Sequence, residues 1–257
     1  RGEKPFDFTI KVSEEWIDVS KTIGKIITEE RIFISINWEK APMKIKSAPI
    51  TIKASEGTEV VVYVKINNLI PKKSVKGFVE SNGYISIEAE HYNKAVKSLN
   101  IEWLIIPDFG RTLSGITPIP VTAGEQILAN NSPHLEYNVY LFSKGEITVN
   151  AYLSPTLNFH NTPEGIRYAI SFDDEEPQII KITSNPNPPD LNYDPVWNKW
   201  VSENINIQIS KHHIDKPGAH TLKFWMVDPG VVLQKIVLET GEIRSSYLGP
   251  PESTFVK

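Results

Sequence analysis

The chain has 257 residues, 40 % of them apolar and 23 % charged, with a formal charge of −4 and no cysteine. That composition suits one large or two smaller globular domains and excludes a disordered chain, a disulfide framework and thiol chemistry. No apolar run approaches the roughly 20 residues that a bilayer-spanning helix needs. Residues 1–76 hold 14 Lys+Arg against 10 Asp+Glu and residues 77–257 hold 13 against 21, so the larger part is acidic, which argues against a nucleic-acid surface. The sequence begins at Arg1 with neither an initiator methionine nor a signal-peptide pattern, and the expectation is a piece of a longer protein.

From the N-terminus onward, nearly every periodic segment reads as strand. "EEWIDVS" is followed by a turn around Gly24, and "ERIFISINW" alternates Ile32, Ile34, Ile36 and Trp38 onto one face. "APITIKA" and "TEVVVYVKIN" come next, split by the turn composition "SEGT". Together they predict a compact β-sandwich over residues 6–68, with Trp16 and Trp38 as core anchors. "NNLIPKKSVKG" (67–77) reads as a connector, because its proline and lysines do not suit a central strand. The boundary therefore falls between a first domain, 1–72, and a second, 73–257.

In the second part, "GYISIEAEHY" puts Ile85, Ile87 and Ala89 on one face and Ser86, Glu88 and Glu90 on the other. "LEYNVYLFS" and "EITVNAYLS" are separated by "KGE", as in a hairpin. "GIRYAISFDD", "PQIIKITS", "NINIQISKH", "GAHTLKFWMV" and "VVLQKIVLE" complete about eight or nine strands, the pattern of a jelly-roll or related double-sheet domain. One segment breaks it. Asp194 and Pro195 make a helix start, and Trp197, Trp200, Val201 and Asn204 or Ile205 recur at helical spacing. The Trp/Val stripe reads as packing on the sandwich, and the alternative is that Tyr193, Trp197 and Trp200 are displayed for sugar stacking.

Motifs for chemistry are few. Neither G-x-x-x-x-G-K-[ST] nor G-x-G-x-x-G after a strand occurs, and "GRTLSG" (110–115) is no substitute for a G-x-S-x-G elbow. His212, His213 and His220 lack an H-E-x-x-H pattern and read as surface loop histidines. Glu88 and Glu90, at i and i+2 of a strand, share a face about 6–7 Å apart, close to the roughly 5–9.5 Å between glycosidase carboxylates. Catalytic carboxylates must flank the scissile bond from opposite sides, however, and these two point the same way. Two roles stay open: glutamates on a polar face, solvated or hydrogen-bonded, or ligands of a shared cation such as Ca²⁺.

"GFVESNGYISIEAEHY", "DFGRTLSGITPIPVT", "PTLNF", "GIRYAISFDDEEPQ", "GAHTLKFWMVDPGVVLQKIVLETG" and "SYLGPPES" resemble, in order over residues 77–253, the C-terminal region of glycoside hydrolase family 115. Those enzymes are xylan α-1,2-(4-O-methyl)-glucuronidases. Residues 10–68 resemble the small immunoglobulin-like sandwich that precedes this region in them. More distantly, "ISIEAEHY" and "HTLKFWMVDPGVVLQKIVL" resemble the framing strands of carbohydrate-binding modules of families 6 and 35, where an E-A-E pair and a last-strand acid hold a structural calcium. The resemblance implies Glu88 and Glu90 as that pair, with Gln234 in place of the acid. Val231 and Val232 occupy the stretch where those modules often carry a sugar-binding asparagine.

The resemblance implies an all-β chain, an immunoglobulin-like sandwich followed by a larger jelly-roll-like one. It implies no catalytic residue here, since the active site of such enzymes belongs to a (β/α)₈ barrel placed earlier in the chain. The implied partners are that barrel, a second copy in a homodimer, and xylan, with a secreted, periplasmic or cell-surface location. No cofactor is expected beyond structural calcium at Glu88 and Glu90.

Overall fold

A computed structural model describes residues 5–68, 74–98, 100–183 and 194–257. The chain folds into two compact units, residues 1–74 and 75–257. The first contains β1 (Phe6–Val12), β2 (Ile17–Val19), β3 (Ile23–Ile26), β4 (Ile34–Ile36), β5 (Ile45–Ala54) and β6 (Glu59–Asn67). A four-stranded sheet in the order β3-β1-β5-β6 faces a small β2-β4 pair, an immunoglobulin-like sandwich. Phe8, Ile10, Trp16, Ile17, Ala48, Ile50 and Ile66 form its core.

Trp16 is an anchor as expected, at 3 % exposure, but Trp38 is 40 % exposed. The alternation in "ERIFISINW" yields only the three residues of β4, with Ile34 also exposed. The strand ends at Ile36, and Trp38 lies in the turn that follows, beyond the reach of the alternation, whereas Ile32 and Ile36 do pack against the core.

The second unit opens with β7 (Gly77–Val79), β8 (Tyr84–Glu88), β9 (Lys94–Val96), β10 (Glu102–Ile106), β11 (Gly115–Ile119), β12 (His134–Leu141), β13 (Gly145–Leu153), β14 (Arg167–Phe172) and β15 (Gln178–Lys181). It closes with α1 (Pro195–Glu203), β16 (Asn206–Ile214), β17 (Gly218–Met226), β18 (Leu233–Glu239) and β19 (Phe255–Val256). One sheet runs β10-β11-β18-β13-β16, with β8 also paired to β18. The other runs β15-β14-β17-β12-β7-β19, with β9 also paired to β12. Between them lies a closed core that includes Ile85, Ile87, Ala89, Tyr137, Phe224, Leu233 and Ile236. The jelly-roll-like double sheet is therefore present.

Two local expectations change. "LEYNVYLFS" and "EITVNAYLS" are β12 and β13, which lie in different sheets, so "KGE" carries the chain across the sandwich rather than closing a hairpin. The corner is held by the buried Glu80 carboxylate, which accepts from Ser143 N at 2.8 Å, from Phe142 N and Ser143 Oγ at 2.5 Å each, and from Thr240 Oγ1 at 2.6 Å. His212 and His213 sit in β16 and His220 in β17, not in loops. His220 is 8 % exposed at its side chain and bonds Asp173 at 2.7 Å. The short strands β7, β9 and β19 are too brief for a period to show in the sequence.

Candidate functional site

Ser86 and Glu88 lie on the face of β8 away from the core, yet they are 0 % and 7 % exposed. What covers them is the chain's last stretch. Ser86 N donates to Ser253 Oγ at 3.0 Å, Ser253 N returns a bond to Ser86 O at 2.9 Å, and Ser86 Oγ donates to Pro250 O at 3.0 Å. Glu88 N donates to Glu252 Oε1 at 2.9 Å, and the same oxygen lies 2.7 Å from His91 Nδ1. The tail thus satisfies the backbone along the free edge of β8, which would otherwise stand open.

Glu88 faces β18. The register sets Glu88 opposite Lys235, and Lys235 in turn opposite Tyr152 of β13. Glu88 Oε1 lies 2.9 Å from Lys235 Nζ, with side-chain exposures of 10 % and 4 %. Glu88 Oε2 accepts from Thr112 Oγ1 at 2.7 Å. Lys235 Nζ also donates to Leu248 O at 3.3 Å and Pro250 O at 3.4 Å. A register shift opposite Tyr152 and Leu153 leaves Gln234 as the extra residue of a bulge. Its Oε1 accepts from Arg111 N at 3.0 Å and its Nε2 donates to Ser154 Oγ at 3.0 Å.

"GRTLSG" is the neighbouring piece. Gly110 takes φ +90°, and a Cβ there would collide with Gln234 Oε1, so only glycine lets the loop lie on the bulge. The Arg111 guanidinium, on a side chain 6 % exposed, reaches two other segments. Nε donates to Glu203 O at 2.8 Å, at the C-terminus of α1, where the helix dipole favours a cation. Nη1 donates to Tyr247 O, and the group lies 3.8 Å from the Tyr247 ring centroid. Residues 86–91, 110–112, 234–235 and 247–253 therefore converge on one polar cluster.

The predicted site residues fall unevenly around it. Glu88 belongs to the cluster, whereas Glu90 has no hydrogen bond or ion pair among the described residues. Gln234 belongs to it as a loop anchor, and Val231 is packed in the core. Asp194 caps α1, accepting from Val196 N at 2.8 Å and Trp197 N at 3.1 Å, and Pro195 starts the helix. Trp197 and Trp200 are half-buried, and no helix residue is fully buried. Tyr193 lies outside the described residues. A cleft of ≈ 630 Å³ opens between Asn82, Tyr84 and residues 242–246 and 249–251, and neither tryptophan lines it. Among the described residues no group of three or more His, Cys, Asp or Glu is placed to hold a metal, and no helix is long and apolar enough to cross a membrane.

Thr112, Lys235 and Glu252 carry as much of the cluster as Glu88, and sequence reasoning passed over them. Lys235 did leave a signal: a lysine inside the otherwise apolar "VVLQKIVLE" needs a buried acceptor.

The family model described as glycosyl hydrolase family 115 C-terminal domain matches residues 77–252. Among solved structures, a family 115 4-O-methyl-α-glucuronidase with specificity for decorated arabinogalactans matches at 16 % identity and TM-score 0.47, over 63 % of this chain and 18 % of that one. A family 35 carbohydrate-binding module from Clostridium thermocellum matches at 15 % identity and TM-score 0.40, over 60 % and 97 % of the two chains. The C-terminal family 6 module of a laminarinase from Zobellia galactanivorans does so at 14 % and 0.36, over 61 % and 98 %. No curated protein sequence matches the chain.

Proposed function

Because the chain belongs to the glycoside hydrolase family 115 C-terminal domain family, we propose that it is the non-catalytic accessory region of a xylan α-(4-O-methyl)-glucuronidase. In this reading it packs on the enzyme's catalytic barrel and supports a homodimer, and it works outside the cytoplasm, where the polysaccharide is.

The observation that carries an interaction role is β6. It is the edge of its sheet among the described residues, and Val60, Val61, Val62 and Tyr63 are 51 %, 42 %, 41 % and 68 % exposed, on both faces. An open, apolar edge of this kind is a template for a further strand. Its sequence is also self-complementary. Two copies running antiparallel about Val62 set Glu59 opposite Lys65 and Val61 opposite Tyr63, so charges of opposite sign meet. Acid–base chemistry has no support at Glu88, whose two oxygens are engaged by Lys235 and Thr112.

Light scattering over a concentration series tests the association. The chain is expected to reach a dimer and Val62→Lys with Tyr63→Glu to leave a folded monomer; a monomer at every concentration refutes the homodimer. Calorimetry against glucuronoxylan oligosaccharides separates scaffolding from sugar attachment. Saturable heat that Trp197→Ala removes without unfolding the chain would establish a carbohydrate-binding module instead.

A further inference from the structure

The paired carboxylates of "EAE" ask for a cation, and the question is which one answers. A calcium ion takes six to eight oxygens at about 2.3–2.6 Å. The residues here do not fit one. An ammonium already stands 2.9 Å from Glu88 Oε1, and Gln234, the residue expected in place of a calcium-binding acid, has its side-chain oxygen turned to Arg111 N. Glu90 makes no bond within the cluster.

We propose that Lys235 is the built-in cation of the second unit: its ammonium does covalently what a bound divalent ion would do, and the fold is independent of metal. The geometry matches an ammonium in number as well as charge. Lys has three N–H donors and no acceptor, and Nζ meets three oxygens: Glu88 Oε1, Leu248 O and Pro250 O. Two of the three belong to the tail, so one side chain ties β8, β18 and the tail together. The arrangement is nearly dry, since Lys235 as a whole is 3 % exposed. A tethered charge carries no dilution penalty, whereas a free ion must be held against its hydration and its concentration in solution.

The test begins with the unmodified chain, so it does not depend on any variant folding. Melting in millimolar EDTA and in millimolar CaCl₂ is expected to give the same midpoint within about 1 °C, as RT ln(1 + [L]/Kd) vanishes without a site. A rise of several degrees in calcium that Glu88→Gln abolishes would overturn the proposal. A double-mutant cycle supplies the positive arm. Lys235→Met and Glu88→Gln should each lower the midpoint by roughly 10 °C, because each leaves a buried group without its partner. The double variant should lose clearly less than the two drops combined. Additive losses would show that the two groups do not act as a pair and would equally overturn it.

Discussion

Replacing Arg111 by alanine tests whether the loop at 110–112 holds the tail and the helix in place. The change removes donations to Glu203 O at 2.8 Å and to Tyr247 O, a weak contact to Glu203 Oε2 at 3.4 Å, and the guanidinium over the Tyr247 ring. Hydrogen bonds from a charged group are worth about 1.5–3 kcal/mol each, and the ring contact adds roughly 0.5–1 kcal/mol at an exposed site. Tyr247 is 60 % exposed, so water recovers part of what is lost at that end. A net cost of about 3 kcal/mol is the result, or a fall in melting temperature of roughly 6–12 °C for a unit of this size. The loss should also be local. Arg244 lies exposed just before the tail contacts, and trypsin should cut there several-fold faster in the variant, because the segment opens more often. Arg111→Lys keeps the charge but not the planar fork and should fall between. A midpoint within about 1 °C of the parent, with unchanged cleavage after Arg244, would refute the reasoning.

Acid should weaken the fold through His212. Burial pushes its pKa from 6.5 down to about 4. The folded chain therefore favours the neutral ring, and the stability this represents is whole above about pH 6.5 and lost as pH falls towards 4. The full shift corresponds to at most ~3 kcal/mol, less to the extent that solvent reaches the half-buried ring. His212→Phe should flatten this part of the denaturant-midpoint profile against pH; an unchanged profile would assign the slope to other groups. Gly110→Ala and Gly57→Ala form a matched pair, with φ of +90° and +95°. A Cβ at Gly57 meets open space and one at Gly110 meets Gln234, so the first should cost about 1 kcal/mol and the second well above that in urea unfolding. Equal costs would mean that the bulge yields easily.

Much of this was legible in the residues. The alternation of Ile85, Ile87 and Ala89 identified the core face of β8, and Asp194–Pro195 identified the helix start, because both are local signals. The family was legible in "HTLKFWMVDPGVVLQKIV" and "SYLGPPES". What the polar face of β8 meets was not. The role of Glu88 stayed open between a polar-face glutamate, solvated or hydrogen-bonded, and a cation ligand, because period 2 says which residues share a face and nothing about what lies over it. The cover over Ser86 and Glu88 comes from residues 164 positions away. Trp38 failed for a different reason: the strand stops at Ile36, and Trp38 falls in the turn beyond it, where alternation no longer assigns a face.

The bond between the tail and β8 also bears on the order in which the second unit can assemble. β8 is among its first strands, yet among the described residues its free edge is satisfied by residues 250–253, and β7 waits for β19 at Phe255–Val256. During synthesis the early strands must therefore persist without their final neighbours until nearly the whole unit has been made. Contacts of such long range close late and slowly. A chain that stops short of residue 250 would carry an open strand edge and an unpartnered Ser86 in the state most exposed to aggregation.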